Sequence, residues 1–107
     1  MKRNLSTQAD ENEIKSIIVD VIRRRLEQNH YKVFLFGSRV RGCGSERSDY
    51  DVGIETQNPL SLSELLDIRT TLSDLPILQK IDVIDFGRVT DDFRQVAKEA
   101  VDIIYEQ

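Results

Sequence analysis

Two aspartates with one residue between them, Asp49 and Asp51, mark the stretch of this sequence best suited to chemistry. On a strand, side chains two apart leave the same face, so the two carboxylates would stand side by side. At a separation of ~7 Å and an effective dielectric of ~20, their repulsion is roughly 2 kcal/mol. A bound divalent cation would offset it. Just upstream, Val33-Phe34-Leu35-Phe36 reads as a buried strand that stops at Gly37-Ser38, with Arg39 and Arg41 following. A Gly-Ser turn after a strand presents backbone N–H groups and a hydroxyl to an anion, and arginines add charge-assisted donors for phosphate oxygens. Each of these features is common alone. Together they describe a phosphate-type loop beside a hard-oxygen cation site, which is the equipment of phosphoryl-group chemistry.

A third carboxylate is expected from the run Lys80-Ile81-Asp82-Val83-Ile84-Asp85-Phe86. Asp82 and Asp85 point to opposite faces of a strand, so one of them belongs in the site. Asp85 stands beside Phe86-Gly87, where the chain leaves the sheet and a carboxylate is expected to be solvated. Asp82 lies nearer the start of the strand, where burial of a lone charge is costly unless a cation is shared. Asp82 is therefore the expected partner of Asp49 and Asp51.

The elements that must carry these residues follow from pattern. Asp10, with Glu13 three residues on, caps a helix whose apolar face is Ile14, Ile17, Ile18, Val21, Ile22 and Leu26. The basic run Arg23-Arg24-Arg25 reads as its solvated side. After Asn29 and His30 comes the first strand. Arg39 to Arg41 suits a short helical turn, and Gly42 and Gly44 then impose a loop. A second strand covers Tyr50 to Glu55 and closes at Asn58-Pro59. Ser61 and Glu64 form a capping box for a helix to about Ser73, with Leu62, Leu65, Leu66 and Leu72 on its pattern. Lys80 to Phe86 is a third strand. Thr90 or Asp91 starts a last helix, whose buried face is expected to be Phe93, Val96, Ala97, Ala100, Val101 and Ile104. The order predicts an α/β (α+β) fold, a small mixed β-sheet flanked by helices.

Composition narrows the function classes. A chain of 107 residues, 39% hydrophobic and 32% charged, is expected to form one domain over 1–107. Its net charge of −4 argues against direct nucleic-acid binding, which needs a basic face. No apolar run approaches the ~20 residues of a membrane span, and no apolar stretch follows the basic N-terminus as in a signal peptide. The single Cys43 suits a cytoplasmic setting, and it reads as a bystander of the loop. His30 lacks the companions of a zinc site, and with Ser45 or Ser48 it makes no nucleophilic triad.

Gly37-Ser38-Arg39-x-Arg41-Gly42 followed by Ser48-Asp49-x-Asp51 resembles the signature of the polymerase-beta-like nucleotidyltransferase superfamily, and Ile81-Asp82-Val83-Ile84 is similar to its third carboxylate strand. The length matches the minimal nucleotidyltransferases. The resemblance implies the nucleotidyltransferase fold and assigns roles: Gly37, Ser38 and Ser48 to the nucleotide, Arg39 and Arg41 to the phosphates or the loop. It also assigns Asp49, Asp51 and Asp82 to Mg²⁺ and catalysis. It implies transfer of a nucleoside monophosphate, AMP from ATP, to a hydroxyl, and a HEPN-domain toxin as partner in a hetero-oligomer, with a toxin tyrosine as acceptor and this chain as the antitoxin. The alternative within that resemblance is a non-catalytic antitoxin acting by contact. Two positions depart from the family pattern. Tyr50 stands where an aliphatic residue is usual, and Gly53 stands where an apolar one is, which predicts a bulge or a close backbone approach.

Overall fold

The computed structural model describes residues 10–26, 30–42 and 48–107. Cys43, Gly44 and Ser45 of the loop, and Asn29 before the first strand, lie outside the described residues. Helix α1 (Glu11–Arg25) begins where expected: the Asp10 carboxylate accepts the Glu13 N–H at 2.8 Å. Its isoleucines and Val21 are buried, and the basic residues of its last turn complement the negative end of the helix dipole. Strand β1 (Tyr31–Phe36) runs into the single-turn helix α2 (Ser38–Arg41), and β2 (Tyr50–Thr56) returns antiparallel to β1. Helix α3 (Leu62–Ser73) carries both halves of the Ser61–Glu64 capping box. Strand β3 (Ile81–Asp85) then lies parallel to β2, a pairing that requires a crossover, here α3.

The C-terminal segment departs from the sequence expectation. Helix α4 is short (Asp91–Ala97), and the chain then forms a fourth strand, β4 (Asp102–Glu106), antiparallel to β1. The sheet order is β3-β2-β1-β4. Of the residues expected on a continuous helical face, Ala97 is buried, while Phe93 is 43% and Val96 53% exposed. Ile104 belongs to β4, and Val101 lies just before it. Two physical terms favour the strand: Ile103, Ile104 and Tyr105 have high β propensity, and the outer edge of β1 would otherwise lack backbone partners. On α3, Leu65, Ile68 and Leu72 are buried, whereas Leu62 and Leu66 face outward.

Helices α1 and α3 cover one face of the sheet. Tyr31, Val33, Leu35, Tyr50, Val52, Ile54, Ile81 and Val83 from the strands meet them in the main core. The other face carries a smaller aromatic cluster, Phe34, Phe36 and Phe86 with Ala97 of α4. Phe34 and Phe86 meet edge-on at 4.8 Å between ring centroids. Gly53 marks neither a bulge nor the approach of another backbone; it makes room for two aromatic rings. A Cβ there would lie 2.4 Å from the Phe34 ring and 2.7 Å from that of Phe86. The irregularity in the sheet is elsewhere, in the β1–β4 pairing between Val33 and Phe34.

Candidate active site

The less covered face of the sheet also carries the candidate carboxylates. Asp51 pairs with Asp82 in the parallel β2–β3 register, so the two side chains leave the same face at the same level. Asp49, exposed at the start of β2, projects from that face one pleat earlier. Asp82 is half-exposed, its side chain 43% accessible and 3.6 Å from the Lys80 ammonium. Its partial exposure differs from the buried site expected near the strand's start. The crossing of α3 leaves this end of β3 open on the far face.

Gly37 fits against Asp51. Its φ of 82° lies in the left-handed region, and a Cβ would come within 2.2 Å of an Asp51 carboxylate oxygen. The turn that starts α2 thus rests on one of the carboxylates, which places Ser38 beside it in the chain. Burial pushes the Asp51 carboxyl above the ordinary carboxylate range, and the negative charges of Asp82 and Asp49 push it further the same way. The charges of Asp49 and Asp82 therefore both reach Asp51 at this end of the sheet.

Among the described residues, no three His, Cys, Asp or Glu side chains close into a ready cation cage. The donor chemistry nevertheless fits Mg²⁺. The oxygens are hard and their charges repel, and Mg²⁺ takes one or two carboxylates and completes its shell with phosphate and water oxygens.

The two arginines do not meet at the carboxylates. The Arg39 guanidinium lies 4.0 Å from the Tyr50 ring centroid, and Tyr50 belongs to the opposite face of β2 from Asp51. Arg39 Nε donates to the Ser48 carbonyl at 3.0 Å, and Nη1 pairs with Glu11 of α1 at 3.3 Å. Arg41 reaches the last turn of α4, donating to the Val96 carbonyl at 3.0 Å. Both are ties between α2 and its neighbours. The signal for Arg39 was present in the sequence as Tyr50, the aromatic departure that its guanidinium covers.

Asp85 corrects an expectation as well. It is 3% exposed, the one buried charged residue among the described residues. Its carboxylate accepts the N–H of Leu60 at 3.2 Å and of Gly87 at 2.9 Å, and pairs with Arg88 at 3.2 Å. Backbone donors and an arginine replace the solvent expected there. Asp85 pins the loop before α3 to the end of β3, on the face away from Asp51 and Asp82.

Comparison with known proteins joins this geometry to a family. The family model described as "Polymerase beta, Nucleotidyltransferase" matches residues 9–107. The chain belongs to this family. Within it, the chain is 28% identical over 97 residues to a protein of Haemophilus influenzae named "Probable protein adenylyltransferase MntA", covering 89% of this chain and 85% of that one. Among solved structures, it resembles the complex of a tri-AMPylated Shewanella oneidensis HEPN toxin with an MNT antitoxin. The TM-score is 0.72 at 13% identity, over 92% of this chain and 74% of the matched one. A toxin–antitoxin crystal structure with AMP-PNP gives a TM-score of 0.71 at 16% identity, over 87% and 73% of the two chains. These structural likenesses establish the nucleotidyltransferase fold, here a mixed sheet of four strands with its carboxylates on the thinly covered face. No helix among the described residues is long and apolar enough to cross a membrane.

Proposed function

We propose that this nucleotidyltransferase, as a single domain over 1–107, moves AMP from ATP to a tyrosine hydroxyl of a HEPN-domain toxin. In that reading it is the antitoxin of a cytoplasmic toxin–antitoxin pair. The observation that carries the reading is the Asp51–Asp82 register beside the Gly37 turn. The adenylyltransferase relative and the AMPylated complex of similar fold support the choice of AMP and of the partner.

In this mechanism Gly37 and Ser38 receive the triphosphate at the turn, with Ser48 at the far end of the same loop. Asp49, Asp51 and Asp82 would hold Mg²⁺, which would supply charge neutralisation to the reacting phosphate. Asp82, half-exposed on the outer strand, orients the incoming hydroxyl and takes up its proton. The tyrosine oxygen bonds to the α-phosphorus as the bond to the bridging oxygen breaks, and pyrophosphate leaves. Asp49 and Asp51 would act on the reacting phosphate through that cation, fixing where it sits for an in-line displacement.

The test is to purify the chain with its HEPN partner and supply labelled ATP and Mg²⁺. Label on the partner, mapped to tyrosine and lost in Asp51→Asn, is the expected result. A contact-only antitoxin has one observation in its favour, the exposed apolar set Phe93, Val96, Val101 and Ile103 on α4 and the β4 segment. Under that reading Asp51→Asn still neutralises the toxin with no mass increase on it.

A further inference from the structure

One guanidinium touches the residues on both sides of Asp49. Arg39 donates from Nε to the Ser48 carbonyl at 3.0 Å and lies 4.0 Å over the Tyr50 ring. Asp49 is itself exposed, so packing around its side chain does not fix it. Its direction is set by the backbone on which it stands. That backbone is held from behind: Tyr50 is 1% exposed in the core, and its N–H donates to the Lys80 carbonyl at 2.8 Å, joining β2 to the start of β3. Glu11, in the first turn of α1, pairs with the same guanidinium at 3.3 Å, and the Arg39 side chain is only 12% accessible. A phosphate ligand would instead present its charge to the carboxylate face.

We propose that Arg39 is the positioning residue of the carboxylate strand: bonded to the Ser48 carbonyl and stacked on Tyr50, it fixes the backbone from which Asp49 and Asp51 project. The proposal rests on the functional reading above for the purpose of those carboxylates. The clamp itself is stated in terms of backbone geometry. A planar fork that hydrogen-bonds and stacks at once is a task for Arg that Lys does not perform.

The test compares the wild-type chain with Arg39→Ala, Arg39→Lys, Tyr50→Leu and the Arg39→Ala/Tyr50→Leu double variant. Folding of each is checked by circular dichroism, and Asp49→Asn with Asp51→Asn serves as the metal-site reference. Mn²⁺ binding is titrated by electron paramagnetic resonance, and amide hydrogen exchange at Tyr50 is measured without metal. Arg39→Ala is expected to weaken Mn²⁺ binding about tenfold and to speed Tyr50 exchange, with the KM for ATP unchanged at saturating metal. Arg39→Lys should behave like Arg39→Ala. Tyr50→Leu should reproduce part of the effect, and the double variant should fall short of the sum of the single changes. Wild-type Mn²⁺ affinity and exchange in Arg39→Lys would overturn the proposal, as would a raised KM for ATP with unaltered Mn²⁺ binding. If the wild-type chain binds Mn²⁺ no better than the Asp49/Asp51 variant, the functional reading fails. The Tyr50 exchange rates then decide the clamp by themselves, and unchanged rates in both Arg39 variants overturn it.

Discussion

The two faces of the sheet are built to different ends. On one, α1 and α3 bury a continuous aliphatic core, with Ile18, Ile22, Val33, Val52 and Ile54 fully enclosed. On the other, one seven-residue helix covers an aromatic cluster and leaves the end of β2 and β3 to three carboxylates. Charges that repel one another reduce stability, so they are tolerable where the rest of the fold supplies the stabilisation and where substrate can reach them. The contrast teaches that Asp51 and Val52, adjacent in sequence, serve separate purposes because alternation sends them to separate faces.

The sharpest way to break this contrast is to neutralise the carboxylates. Asp49→Asn with Asp51→Asn should lower nucleotidyl transfer by about 10³-fold, about 4 kcal/mol of barrier, while the urea midpoint stays level or rises. A drop in midpoint would mean that these aspartates hold the fold together. The converse change is Ile18→Ala in α1. Cavity formation there should cost about 2–5 kcal/mol of stability, seen in urea denaturation, with turnover per folded molecule unchanged. Loss of turnover in the folded fraction would show that the two faces are coupled.

Asp82 and Asp85 allow the contrast to be drawn within one strand. Asp82→Asn should slow turnover at least tenfold, about 1.4 kcal/mol, with stability unaffected. Asp85→Asn should do the opposite, costing about 1–3 kcal/mol of stability as charge-assisted hydrogen bonds are lost. Turnover assays and denaturation on purified proteins at saturating Mg²⁺ check both, and the reverse ranking would exchange the two assignments.

The smallest expected effect is on pH dependence. Asp51 holds its proton more tightly folded than unfolded, so the native state binds more protons between the unfolded and folded pKa values. Stability from this group therefore falls as pH rises through that window, and the cost persists above it. In metal-free protein, Asp51→Asn should flatten that slope and raise the melting temperature at neutral pH. An unchanged melting profile from acid to neutral pH would mean that Asp51 is not strained by its neighbours.

Much of this arrangement was legible in the sequence, and the losses have physical causes. The caps at Asp10 and Ser61 were readable because a side-chain acceptor three residues before a backbone N–H is a local event. The strand-turn-strand carrying Gly37, Asp49 and Asp51 was readable because alternation fixes faces. Strand β4 was not. Ala97, Ala100, Val101 and Ile104 fit a helical period, and the edge of β1 that pairs with the β-prone Ile103-Ile104-Tyr105 lies far away in sequence. The burial of Asp85 was hidden for a related reason, since its donors Leu60 and Arg88 come together through the crossover. Arg39 and Tyr50 were each visible, but their stacking is a tertiary fact.

The parallel pairing of β2 with β3 has a consequence for how the site comes into being. Asp49 and Asp51 can be set by the local antiparallel return of β2 onto β1, which closes only a short loop. Asp82 joins them after the whole of α3 has been traversed and docked, a closure with a larger entropic cost. The carboxylate constellation is thus a late product of folding, absent from any folding stage that holds only the first two strands. The same crossover makes it vulnerable to partial opening. An excursion that peels β3, with α3, away from β2 would separate Asp82 from Asp51 while the β1–β2 ladder remains intact, so activity would be lost before the bulk of the sheet unfolds.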